Sequence, residues 1–244
     1  MDTIELSSST DEESNGRKNI MKNLIWVFFL LLFSCSEETP ELVFESVNSY
    51  YSINPQEYRV YNFERINYDF NVPDTLAYLL REEIIDSLVT GSGQVSYVLQ
   101  QSIRENATEP WRVDSVFTIR FQNRGLIAVE NNIAYQKLAY PLVLGTTWNG
   151  NAFNNLESQI YYYQSTQNPN NSEFINDHSM KVIIEDIPKS FLSQDERFEV
   201  YTKDIGLVEK NYIALNFCTN CGDIEGFINS GFTLKQVLIA YGQN

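Results

Sequence analysis

Two cysteines in "NFCTNCGD", Cys218 and Cys221, have the type and spacing that most directly suggest chemistry. A CxxC pair can serve as a redox centre, as half of a zinc site, or as a local disulfide. Zinc needs four ligands, and the sequence offers no second thiol pair. A thioredoxin-type centre opens a helix in a β-α-β unit, whereas this pair follows a strand-like segment. The single histidine, His178, lies in "NDHSM" between Asp177 and Ser179. Any Ser-His-Asp or Cys-His centre would have to use it. In so polar a loop it is expected to be solvated. No Gly-rich phosphate loop, GxSxG or HExxH pattern is present. The acidic stretches "REE" (81–83), "EDIP" (185–188) and "QDER" (194–197) read as solvated faces, since glycosidase-type acids meet in space and not along the chain. The expectation is therefore a protein without catalytic residues, metal or cofactor.

The third cysteine, Cys35, ends an apolar run. Leu24 to Phe33 is uninterrupted hydrophobic sequence, preceded by Lys22. A transmembrane helix needs roughly 20 such residues; this run has the length of a signal-peptide core behind a basic segment. Leu32-Phe33-Ser34-Cys35 resembles the bacterial lipobox, with an aliphatic residue at −3, a small one at −1 and cysteine at +1. Phe33 is bulky for −2, a permissive position. Processing there would make Cys35 the acylated first residue of the mature chain, and two or more acyl chains hold a protein stably on a bilayer. The chain then divides into four parts. Residues 1–20 form a polar, acidic extension expected to be disordered, with Met21 as the expected true start. Residues 21–34 form the lipoprotein signal peptide, 35–45 a tether, and 46–244 a single β domain. Outside the cytoplasm, a Cys218–Cys221 disulfide becomes the default.

Composition fits this reading. Formal net charge is −15, with 15 Tyr and 15 Phe among 244 residues. That acidity argues against nucleic acid as a partner, and the aromatic content is globular and β-leaning.

The elements that would position any site are strands. "EYRVYNFERINYDF" alternates, with Tyr58, Val60 and Asn62 against Arg59, Tyr61 and Phe63. In "WRVDSVFTIRFQ" Val113, Ser115, Phe117, Ile119 and Phe121 share a face. Similar segments recur to the C-terminus, separated by turn signals. "TLAYLLREEIIDSLV" fits helix or strand, and the "GSG" that follows favours strand. The pattern predicts an all-β fold of about ten antiparallel strands: a strongly curved sheet, half-open barrel or sandwich. The functional surface is expected on a concave face of that sheet, or on the polar loop from Gln164 to Met180, which looks poorly suited to packing.

"KLAYPLVLGTTWNGNAFN" (137–154) and "KDIGLVEKNYIAL" (203–215), together with the signal peptide, resemble a family of uncharacterised outer-membrane lipoproteins of the Bacteroidota. The resemblance covers most of the mature chain and implies a lipid anchor at Cys35 in the outer membrane, on its periplasmic face or at the cell surface. It brings no catalytic residues. Glu37 and Glu38 resemble the acidic export signal of surface lipoproteins in that phylum, and they read equally as a solvated tether. Three tripeptides match the Asp-Ser/Thr-aliphatic pattern of Bacteroidota O-glycosylation, making Thr75, Ser87 and Ser115 candidate acceptors. Gly145 is expected to permit a tight turn and Trp148 to plug the core. The leading functional expectation is a non-enzymatic binding or structural module. A carrier enclosing an apolar ligand such as a lipid chain is the alternative, and an envelope glycan hydrolase the third.

Overall fold

The computed structural model describes residues 46–89, 91, 93–167, 172–221 and 226–244. Cys35, the 1–20 extension, the 21–34 signal peptide and the 35–45 tether lie outside them. The described residues form twelve strands: β1 (Glu57–Asp69), β2 (Val72–Val89), β3 (Val95–Arg104), β4 (Arg112–Gln122), β5 (Gly125–Glu130), β6 (Ile133–Leu138), β7 (Thr147–Asn149), β8 (Ile160–Ser165), β9 (Ser179–Ile187), β10 (Ser193–Thr202), β11 (Gly206–Phe217) and β12 (Ile228–Gln243). Among the described residues there is no α-helix, only a short 3-10 turn at Val47–Tyr50. The all-β expectation holds, and the ambiguous 75–89 stretch is strand. The strand easiest to miss is β7, whose three residues are too few to show an alternation.

All twelve strands form one antiparallel sheet, in the order β6-β5-β4-β3-β2-β1-β12-β11-β10-β9-β8-β7. Two meanders thus run outward from the central β1–β12 pair. Tight turns drive this pairing. Phe70-Asn71, Asn123-Arg124 and Asn131-Asn132 each have two successive positive φ values, the backbone of a two-residue hairpin whose twist matches that of its strands. Register shifts occur in seven of the eleven ladders. Each such bulge adds bend and twist, so the sheet coils.

Coiling brings its two edges together. The edge strands β6 and β7 are consecutive in sequence and joined through 139–146, where Gly145 takes φ +82 and donates its N–H to the Tyr163 carbonyl at 2.9 Å. The Gln136 N–H donates to the Gly150 carbonyl (2.8 Å), and the Trp148 indole N–H to the Gln136 carbonyl (2.9 Å). Asn154 Nδ2 reaches the Ala134 carbonyl at 2.9 Å. The result is a nearly closed, barrel-like sheet. Trp148 is buried beside Tyr161 and Tyr163, as expected for a core plug.

One end of the barrel is filled. Val47, Tyr50 and Tyr51, from the segment before β1, pack with Ile84, Leu99, Ile119 and Leu126. Arg59, 1% exposed, ties that segment down. Its Nε donates to the Ile205 carbonyl (2.6 Å), and its Nη2 reaches the Ser52 carbonyl (2.9 Å) and the Glu57 carboxylate (2.6 Å). Its guanidinium lies 4.7 Å from the centre of the Tyr51 ring. The loop after β8 departs from expectation. Phe174 and Ile175 pack against a second buried cluster that includes Val200 and Leu238, and the Phe174 carbonyl accepts from Thr202 Oγ1 at 2.7 Å. Within the described residues 172–178, these two apolar side chains make the packing contacts of the stretch before β9.

Candidate ligand-binding cavity

Strand register assembles the wall of a site beside the packed segment before β1, with Tyr51, Ile119 and Leu126 at its floor. One row of cross-strand neighbours runs Glu199 (β10), Lys210 (β11), Gln236 (β12), Phe63 (β1) and Tyr78 (β2). These side chains share a face because directly opposed residues in a ladder point the same way. The next row on the same wall carries Tyr212, Leu234 and Arg65. Glu130 of β5 with Tyr135 and Lys137 of β6 completes the lining across from it, together with Ser115 and Phe117 of β4. The space enclosed is a cavity of about 530 Å³, within the size range of small-molecule sites. The Phe63 and Tyr78 rings lie nearly parallel, 12° apart with centroids at 4.6 Å.

A network of charges sits against the cavity. Glu199 is 1% exposed. Its Oε1 meets Lys137 Nζ at 3.0 Å and Lys210 Nζ at 3.5 Å, and accepts from the Tyr212 hydroxyl at 2.5 Å. Its Oε2 accepts from the Tyr201 hydroxyl at 2.6 Å. Lys137 also contacts Glu130 at 3.2 Å. Glu130 keeps 32% of its side chain exposed and Lys210 16%, so water reaches the network from the cavity. Deeper, Glu82 accepts from Gln101 Nε2 at 3.0 Å, and Gln101 accepts from the Ser115 hydroxyl at 2.8 Å.

The electrostatics lock these groups into single states. Burial alone would raise the Glu199 carboxyl, but Lys137 and Lys210, with the two tyrosine hydroxyls, outweigh it and hold it well below the usual carboxylate range. Burial would lower Lys137, yet Glu130 and Glu199 push it well above the ordinary lysine value. Burial drives the Tyr201 and Tyr212 hydroxyls well up, and the neighbouring Glu199 charge drives them further. These four are displaced away from neutrality, so near pH 7 Glu199 and Lys137 are charged and the Tyr201 and Tyr212 hydroxyls keep their protons.

Comparison with known proteins adds little to this geometry. No protein-family model matches the chain, and no curated protein is similar to it. A solved structure from Bacteroides fragilis, described as an exported protein with a YmcC-like fold, aligns with 78% of this chain and 97% of its own at a TM-score of 0.32 and 8% identity.

The cysteines expected to pair do lie together, with the Cys218 and Cys221 sulfurs at a bonding distance of 1.97 Å. They follow β11 outside the cavity. His178 is exposed, as expected for a loop histidine. Of the O-glycosylation candidates, Thr75 and Ser87 are exposed on β2, whereas Ser115 lines the cavity. The acidic stretches divide. Asp195 and Glu185 pair with Arg197 on the surface, but Glu82 of "REE" is buried at 4% exposure, because in β2 alternate residues face the barrel interior. Sequence reading missed the cluster itself. A lysine in "AYQKLAY" and a glutamate in "RFEVYT" hold the clue, since each sits in a strand pattern next to a residue that becomes buried, Leu138 and Val200. Which face of each strand points inward is set by sheet closure and is absent from the local pattern.

Proposed function

We propose that this chain is a cell-envelope lipoprotein, anchored in the outer membrane through Cys35, whose barrel interior binds a small ligand without transforming it. The observation that carries this is the cavity of about 530 Å³, walled by aromatic rings and by a charge network that is already internally satisfied. The ionisation states argue against catalysis. Glu130 and Glu199 share Lys137 and are both held ionised, so neither supplies the protonated acid that glycoside hydrolysis requires. Carriage of an apolar chain is the second reading, favoured by the aromatic pair Phe63 and Tyr78 and by Phe117 and Phe232 in the lining.

The test is native mass spectrometry of the protein purified gently from membranes. A non-covalent adduct of defined mass is expected. It should be absent from Ala128→Phe, which fills the cavity from a buried wall position. An adduct retained unchanged in that variant, or none in either protein, would overturn the binding reading. In the same preparation Cys35→Ala should leave the membrane fraction; a variant still sedimenting with membranes would refute the anchor.

A further inference from the structure

The charges on the cavity wall are not all matched. Lys137 and Lys210 pair with Glu130 and Glu199, which leaves Arg65, Glu82 and Asp114 without an ion pair among the described residues. These three stand at different depths. The meander puts the turns after β1, β3 and β5 at one end of the barrel. The lining reaches that end at Asn131, an exposed residue of the β5–β6 turn, and at exposed Asp114, so the cavity opens there. Arg65 lies near the same end, shortly before the Phe70-Asn71 turn. Glu82 lies deep. From Leu76, the cross-strand neighbour of Arg65, β2 runs about 20 Å back to Glu82, at about 3.4 Å per residue.

Arg65 is held ready for an anion. Its Nε donates to Asn67 Oδ1 at 2.8 Å, and its guanidinium lies 4.3 Å from the centre of the Phe232 ring. Those two contacts fix the guanidinium plane. Both Nη groups have no hydrogen-bond partner among the described residues, and neither is sealed from solvent. A fixed guanidinium with free N–H groups matches the paired oxygens of a carboxylate or phosphate. Apolar surface adjoins it: Phe63, on the same face of β1, stacks on Tyr78, and Leu234 is its cross-strand neighbour. Burial raises the Tyr78 hydroxyl, Asp114 raises it further and Arg65 lowers it, so both charges act at this aromatic pair. Asp114 opposes an anion but is exposed, and water and salt screen it. The acid Glu82 at the deep end disfavours a second negative charge there.

We infer that the cavity takes an amphipathic organic anion. Its carboxylate or phosphate is held by Arg65 near the open end, and its apolar body lies against Phe63, Tyr78 and Leu234. This rests on the reading of the barrel interior as a binding site.

The experiment is titration calorimetry on the full, detergent-solubilised chain with probes that share one alkyl chain: octanoate, octyl phosphate, octanol and octylamine. The variants are Arg65→Gln and Ala128→Phe. The anions should bind the native chain more tightly than octanol, and octylamine most weakly; the tighter anion tells a carboxylate source from a phosphate one. Arg65→Gln should weaken the anions roughly ten- to hundredfold, the loss of hydrogen bonds to a charged group, and leave octanol unchanged. Added salt should weaken the anions on the native chain more than on this variant. A merely structural arginine would lower the melting point in Arg65→Gln and leave the preference for anions intact, which would overturn the inference. Octanol or octylamine binding best, with Ala128→Phe blocking it, would overturn the inference and leave the binding reading standing. Anions that bind Ala128→Phe as tightly as the native chain would place their site outside the cavity and overturn the inference. Failure of every probe would do the same, and with no adduct in the native spectrum it would overturn the binding reading as well.

Discussion

Replacing Glu199 by glutamine tests the physical account of the barrel interior most severely. The native carboxylate is almost fully buried and uses both oxygens, contacting Lys137, Lys210, Tyr201 and Tyr212. Glutamine preserves the shape but removes the charge and turns an NH₂ toward groups that are themselves donors. Lys137 would then stay buried with Glu130 as its only ion-pair partner. Removing one partner from a buried pair costs about 3–5 kcal/mol. In a domain of this size each kcal/mol shifts Tm by roughly 2–4 °C, so Glu199→Gln should melt about 6–20 °C lower. Urea unfolding followed by tryptophan fluorescence should give the same free energy. Replacing the pair together, Lys137→Met with Glu199→Leu, should be no milder than Glu199→Gln alone, because it leaves Glu130 and Lys210 without their partners and the Tyr201 and Tyr212 hydroxyls without their acceptor. The pH dependence follows from the same groups. Glu199 is depressed in the fold, so its contribution is present above the ordinary carboxyl value of 4.5 and fades as pH falls toward its folded value. Lys137 is raised, so its contribution is complete below the ordinary lysine value of 10.5 and fades as pH climbs toward its folded value. Stability should therefore show a plateau between about pH 5 and 10 that Glu199→Gln flattens at its acidic edge. A loss under about 1 kcal/mol, the behaviour of an exposed pair, would refute the reasoning that the network is buried and mutually dependent.

Two further outcomes follow from the fold. Cys218 and Cys221 should be found oxidised to each other by mass spectrometry of unreduced protein; because the closed loop is so short, Cys221→Ser should cost only about 2 kcal/mol or less in chemical denaturation. Gly150→Ala should destabilise by about 1–3 kcal/mol, since the added methyl would sit 2.2 Å from the Tyr161 ring at the point where the sheet edges meet, and an altered near-UV circular dichroism spectrum should accompany the loss.

Period-two alternation and turn residues are local properties, and they made the all-β class legible from the chain itself. "EYRVYNFERINYDF" and "WRVDSVFTIRFQ" read as strands and are β1 and β4; the Gly145 turn and the Trp148 plug were equally readable because each answers a local demand. The candidate site was not legible. Lys137 and Glu199 stand 62 residues apart and meet because both strand meanders coil back until β6 faces β7. The local pattern of β10 is also deceptive. Phe198 and Val200 look like its core face, and Phe174 and Ile175 pack over that face from outside the cavity. Glu199 and Tyr201 are left pointing into the barrel. Alternation along a strand tells which residues share a face. Only closure of the sheet, a sum of bulges, twists and edge contacts spread over the whole chain, decides which face encloses the cavity.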